Sequence, residues 1–155
     1  MTEKSFIKKG YVISKVENLK SLEYITKFIK KQIQSYLRYK YKKFSLNEIH
    51  RFIKKDKLNQ LRLRIIKQIN KDYQFRQSYF NLAKNNIFNI VGNELAMQKN
   101  INLSIQFPDD DSSLLPLHSD TWSGDSPFET VLWVPLVDCY KTKSMFILES
   151  KNMIS

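Results

Sequence analysis

INLSIQFP, residues 101–108, is where the apolar pattern of this chain changes period. Ile101, Leu103, Ile105 and Phe107 alternate with Asn102, Ser104 and Gln106, the two-residue period of a strand with one apolar and one polar face. Upstream, the spacing is helical. Ser21 precedes Leu22, Ile25, Phe28, Ile29, Ile33 and Leu37, a 3.6-residue stripe opposite Lys20, Lys27, Lys30 and Lys31. SLNE at 45–48 reads as a capping box, in which Ser45 and Glu48 each satisfy an orphan amide of the first turn of a helix carrying Ile49, Phe52 and Ile53. Leu58, Leu61, Ile65, Ile66 and Ile69 continue helical spacing. Phe75, Tyr79, Leu82, Ile87 and Ile90 predict one more helix that stops near Gly92. Three or four helices are therefore expected before residue 92.

Downstream of residue 100, strands are expected at about 101–107, 115–120, 129–136 and 144–148. ETVLWVPLV (129–137) is apolar on both faces, as an interior strand would be, and the acidic triplet Asp109–Asp111 reads as a solvated turn. Charge and punctuation divide the chain at the same place. Residues 1–100 hold 23 of the 26 Lys and Arg against 7 acidic residues, residues 101–155 hold 3 against 8, and all four prolines follow residue 100. The predicted class is α+β, with a basic helical region at 1–92 and a strand-bearing region at 93–155.

At 155 residues, 42% hydrophobic and 13% aromatic, the chain has the length and composition of one folded domain rather than a disordered, charge-dominated tract. Its single cysteine, Cys139, cannot form an internal disulfide and is expected as a small buried hydrophobe in a reducing compartment. MTEKSFIKKGYVISK at the N-terminus has no apolar run fit for a signal peptide, and no stretch approaches the ~20 apolar residues of a membrane span. A cytoplasmic location without membrane contact is the resulting expectation.

Chemistry concentrates in LPLHSD (115–120), which holds one of only two histidines. On a strand, residues i and i+2 share a face with Cβ atoms about 6–7 Å apart, so His118 and Asp120 can converge on one ion. An imidazole nitrogen and a carboxylate are two of the three ligands in the two-His, one-carboxylate triad of non-haem Fe(II). The plainer reading makes His118 an exposed turn residue after Pro116, with Asp120 capping the Thr-Trp-Ser-Gly turn.

Residues 79–150 resemble the Fe(II)- and 2-oxoglutarate-dependent oxygenases of the phytanoyl-CoA dioxygenase type, in particular bacterial members found with surface-carbohydrate genes. The matching features are Gly92 closing a helix before the sheet, INLSIQFP as an early barrel strand, LPLHSD as the His-x-Asp strand, and ETVLWVPLVDCYKTKSMFILES as the next two strands. The resemblance implies a double-stranded β-helix, that is, a jelly-roll or cupin-like sheet with helices packed on it. It implies Fe(II) as cofactor, 2-oxoglutarate as co-substrate, and His118 and Asp120 as metal ligands. Gln106 would reach the co-substrate or the metal-bound water, and Trp133 would line the barrel. The implied substrate is a small molecule, a sugar nucleotide or glycan by analogy.

The family's second histidine and its basic anchor for the co-substrate come from later strands, and no histidine follows Asp120 here. His50, the other histidine, falls on the solvated face of the helix opened by Ser45. The reading is thus of a C-terminally truncated, inactive oxygenase whose incomplete sheet leaves an edge open for self-association. One alternative is a basic helical module in which lysines track phosphates and Tyr36, Tyr39 and Tyr41 stack on bases, although no nucleic-acid motif is legible and nucleic acid is not the expected partner. A second is a non-catalytic chain that completes its barrel with another.

Overall fold

The computed structural model describes residues 2–38, 40, 43–111 and 114–148. Five α-helices carry the first 91 residues: α1 (Thr2–Lys9), α2 (Leu19–Tyr36), α3 (Lys55–Ile69), α4 (Tyr73–Asn81) and α5 (Lys84–Val91), with a 3-10 turn at Leu46–Arg51. The capping signals are partly those expected. The α2 helix begins two residues before Ser21, because the Asn18 side chain accepts the Ser21 amide at 2.9 Å. At Ser45 only half of the capping box forms. The Ser45 hydroxyl accepts the Asn47 amide at 3.2 Å, while Glu48 turns to Arg51 at 2.6 Å, and the result is the 3-10 turn rather than an α-helix.

The helix predicted across Phe75 to Ile90 is two helices, α4 and α5, separated at Leu82–Ala83. Asp72 starts α4 by accepting the Phe75 amide at 2.6 Å. The start of α5 is capped from far away in sequence: the Glu17 carboxylate accepts the amides of Asn85 and Asn86, each at 2.9 Å. Gly92 ends α5 as expected, at φ 83°, in the left-handed range that favours glycine.

The apolar stripes meet in one core. Ile25, Ile29 and Ile33 of α2 pack with Leu58, Leu61, Ile65 and Ile69 of α3 and with Phe75 and Leu82, all at most 5% exposed. The Phe75 ring sits edge-on to Phe28 at 5.1 Å. At about 1.5–3 kcal/mol for each fully buried aliphatic side chain, these stripes dominate the stability of the bundle.

The predicted α+β jelly roll is not present: the described residues form no sheet, and their only β pairing is an isolated bridge between Tyr140 and Lys143. Residues 101–107 and 131–136 have no regular secondary structure, yet their burial alternates with period two. Ile101 and Phe107 are buried and Leu103 and Ile105 half-buried, while Asn102, Ser104 and Gln106 face outward. In the second segment Leu132, Val134 and Leu136 turn inward and Val131, Trp133 and Pro135 outward. Alternation reports one-sided burial, and here the buried side faces helices rather than a second sheet layer.

Helix side chains also take backbone bonds that a strand neighbour would have taken. Asn70 accepts the Ile101 amide at 2.7 Å and donates to the Ile101 carbonyl at 3.1 Å. Arg76 donates to the carbonyls of Met97, Gln98 and Lys99 at 2.7–2.9 Å. The Tyr79 hydroxyl donates to the Leu132 carbonyl. Residues 144–148 run without a ladder, and Phe146 is 77% exposed. Trp133, expected inside a barrel, is 45% exposed, and Cys139, expected in the core, is on the surface.

Among the described residues no helix is long and apolar enough to cross a membrane.

Candidate functional site

The segment carrying His118 and Asp120 is not a strand. Residues 114–119 lack regular structure, and Asp120 opens a 3-10 turn, Asp120–Ser123, closed by Gly124 in the left-handed conformation at φ 95°. The plainer reading of this stretch as an exposed turn therefore describes the backbone, with one change. The N-cap is Ser119 and it makes no side-chain cap hydrogen bond; its hydroxyl pairs instead with that of Thr121 at 2.8 Å.

The turn brings the two side chains together although the strand does not exist. His118 Nε2 lies 3.6 Å from an oxygen of Asp120, with both side chains about half exposed. His118 Nδ1 lies 2.7 Å from the Pro116 carbonyl, which can only accept, so Nδ1 carries a proton. That assignment leaves Nε2 to face the carboxylate. In a neutral ring of that tautomer the two facing atoms are both acceptors. A backbone carbonyl holding Nδ1–H while Nε2 is presented is the arrangement commonly found behind metal-bound histidines.

For two cis ligands at bond lengths of about 2.1 Å, the donor atoms stand about 3 Å apart, so the observed pair would have to close by a few tenths of an ångström. Among the described residues no group of three His, Cys, Asp or Glu side chains could hold a metal ion, which corrects the expectation that this chain is in itself a metal-binding jelly roll. The complete ligand set is not assembled by the residues described, and no catalytic step is derived through iron.

Gln106 lies on the outward, polar face of the extended segment 101–107. With no sheet among the described residues, the concave strand face that Gln106 was expected to share with His118 and Asp120 is absent. Of the three tyrosines invoked for base stacking, Tyr36 is engaged within the bundle. Its hydroxyl donates to Gln60 at 3.2 Å, and the Arg64 guanidinium lies 5.8 Å from its ring centre. Tyr39 and Tyr41 lie outside the described residues.

Two features of the region escaped the sequence reading. Tyr79 appeared only as an apolar position of α4, yet its hydroxyl anchors residue 132, and burial pushes it up to about 12. The second is a cleft of about 540 Å³ beside the 3-10 turn at 46–51, lined by His50, Arg51, Lys54, Lys55, Phe52 and Phe107 among others. The density of basic residues across 50–55 was the available signal; it entered only the alternative in which the basic helices track phosphates, while His50 was read as a solvated helix face.

Comparison of the chain with protein-family models, with curated proteins and with solved structures finds no match.

Proposed function

We propose that this chain contributes His118 and Asp120 to a non-haem Fe(II), 2-oxoglutarate-dependent oxygenase centre, and that the described residues by themselves do not sustain turnover. The observation that carries the reading is the local geometry. A 3-10 turn presents His118 Nε2 to the Asp120 carboxylate at 3.6 Å while Nδ1 is held by the Pro116 carbonyl. Iron bound there would supply the redox chemistry, with 2-oxoglutarate as co-substrate. This chain's part is to orient one imidazole and one carboxylate toward a shared ion. A sugar nucleotide or glycan as substrate rests on the sequence resemblance alone.

Two ligands leave an ion held mainly by water, so this chain alone binds Fe(II) weakly and forms no succinate from 2-oxoglutarate. The outward apolar residues Val131, Trp133, Phe146 and Ile147, each at least 45% exposed, make self-association of the purified chain part of the same proposal.

The test is an anaerobic titration with Co(II) as spectroscopic substitute, read by visible absorbance, on the chain and on the His118→Ala and Asp120→Ala variants. The expected result is weak binding that either substitution removes. Binding unaffected by both substitutions would refute the site. Robust succinate formation by the chain alone would refute the two-ligand argument.

A further inference from the structure

Between the 3-10 turn at 46–51 and the start of α3, the surface opens into the cleft of about 540 Å³, a volume within the range of small-molecule sites. Its wall is chemically one-sided. His50, Arg51, Lys54 and Lys55 line it, no carboxylate does, and the floor is apolar with Phe52 and the buried Phe107. Two of the cations are already fixed in place. Arg51 is held by Glu48 at 2.6 Å, and Lys55 donates to the Asp109 carbonyl at 2.7 Å. The side chains of Lys54 and His50 have no hydrogen-bond or ion-pair partner among the described residues, and the His50 ring stands edge-on to Phe107 at 6.5 Å. Lys54 is also the N-cap of α3, whose first turn carries Asp56 paired with Lys57 at 3.7 Å.

A free carboxylate ligand would use the cations but leave the aromatic floor unfilled, and an apolar ligand would leave the Lys54 ammonium without a counter-charge. A phosphate ester joined to a flat ring matches both halves: its phosphate accepts from Lys54 and Arg51 while its ring covers His50 and Phe52. From the cleft's cationic wall and aromatic floor we infer a binding site for a nucleoside monophosphate-like ligand. This inference does not rest on His118 and Asp120. The acidic triplet Asp109–Asp111 follows Phe107 closely and does not line the cleft. Its charge opposes an anion, so removing it strengthens binding.

The experiment is an amide-resolved NMR titration of the full chain with AMP, with adenosine and with inorganic phosphate in parallel. AMP is expected to shift the amides of residues 50–57 and 107 and to bind at least tenfold tighter than either fragment. Lys54→Glu is expected to weaken AMP at least tenfold with the far-ultraviolet circular dichroism unchanged. His50→Ala, at an exposed position, is expected to weaken it severalfold and serves if Lys54→Glu does not fold. Asp109→Asn with Asp110→Asn is expected to tighten it. Equal affinity for AMP and inorganic phosphate would overturn the ring half of the site. Shifts spread over Lys20, Lys27, Lys30 and Lys31 of α2, or no shifts at all, would overturn the site altogether.

Discussion

Replacing Tyr79 by Phe tests whether helix side chains hold the extended segment 131–136 in place. The Tyr79 hydroxyl, mostly buried on α4, donates to the Leu132 carbonyl, and burial raises its pKa to about 12. At pH 8 the substitution removes that hydrogen bond and leaves the carbonyl without its donor, a loss of about 1–2 kcal/mol. Alkali reverses the balance. A group whose folded pKa is raised contributes stability that is complete below its unfolded value near 10 and is lost as pH climbs through about 12. The two-unit gap amounts to about 2–3 kcal/mol at its full extent, of which roughly half is spent by pH 11. Phenylalanine carries no such burden, so the stability deficit of Tyr79→Phe should shrink from pH 9 upward and vanish near pH 11. Urea denaturation of both proteins, followed by helical circular dichroism from pH 8 to pH 11.5, measures it. Tyr24, whose pKa is also raised by desolvation and by its hydrogen bond to Asp72, is common to both proteins and cancels. A deficit independent of pH would show that the Tyr79 hydroxyl is not buried in solution, and the anchoring argument would fall with it.

Arg76→Ala, which strips the donors from three consecutive carbonyls at 97–99, should cost about 2–3 kcal/mol in the same denaturation, and Arg76→Lys should recover only part because an ammonium cannot span all three; an unchanged midpoint would refute it. Glu17→Gln should cost about 1 kcal/mol and speed hydrogen exchange at Asn85 and Asn86, whereas equal exchange would show that α5 does not depend on this cap. Leu61→Ala, at a position with no exposure, should cost about 2–5 kcal/mol, and a loss under 1 kcal/mol would mean the α2–α3 core is packed differently. Trp133→Ser should leave stability within about 0.5 kcal/mol while reducing self-association in sedimentation, and a large loss would place the ring in the core.

The helical half was legible because its signal is redundant. In α2 and α3 the same spacing that places Ile25, Ile29 and Ile33 on one stripe, and Leu58, Leu61, Ile65 and Ile69 on another, also places lysines opposite. What escaped was contact between residues distant in sequence. Nothing near Lys84 announces that Glu17 caps α5, and the continuous apolar spacing from Phe75 to Ile90 conceals the break at Leu82–Ala83. The strand prediction failed for a different reason. Alternation at 101–107 does report one-sided burial, and 129–137, read as apolar on both faces, also buries only one side, but a strand needs a neighbour about 4.8 Å away, and that is a property of no single segment. The spacing of His118 and Asp120 suggested convergence, and the side chains do approach, through a 3-10 turn rather than a shared strand face.

The way the extended segments are held bears on the candidate site. Residue 101 and residues 97–99 are tied to α3 and α4 by Asn70 and Arg76, and residue 132 is tied by Tyr79, so the bundle fixes the chain on either side of the turn. Between these anchors, Leu115, Leu117 and Trp122 are each at least 68% exposed, and the polar contacts of His118 and Asp120 lie within the segment from Pro116 to Asp125. The His118–Asp120 pair is therefore organised locally, by one carbonyl and one 3-10 turn, and not by the core. Local organisation is enough to set the imidazole tautomer, which needs only the Pro116 carbonyl. It is not enough to hold two ligands to within about 0.5 Å of a metal geometry, which takes side chains locked by packing around them. Under the proposed oxygenase reading, that precision would have to come from whatever supplies the third ligand, so ion affinity and turnover are expected to rise together when that group is provided.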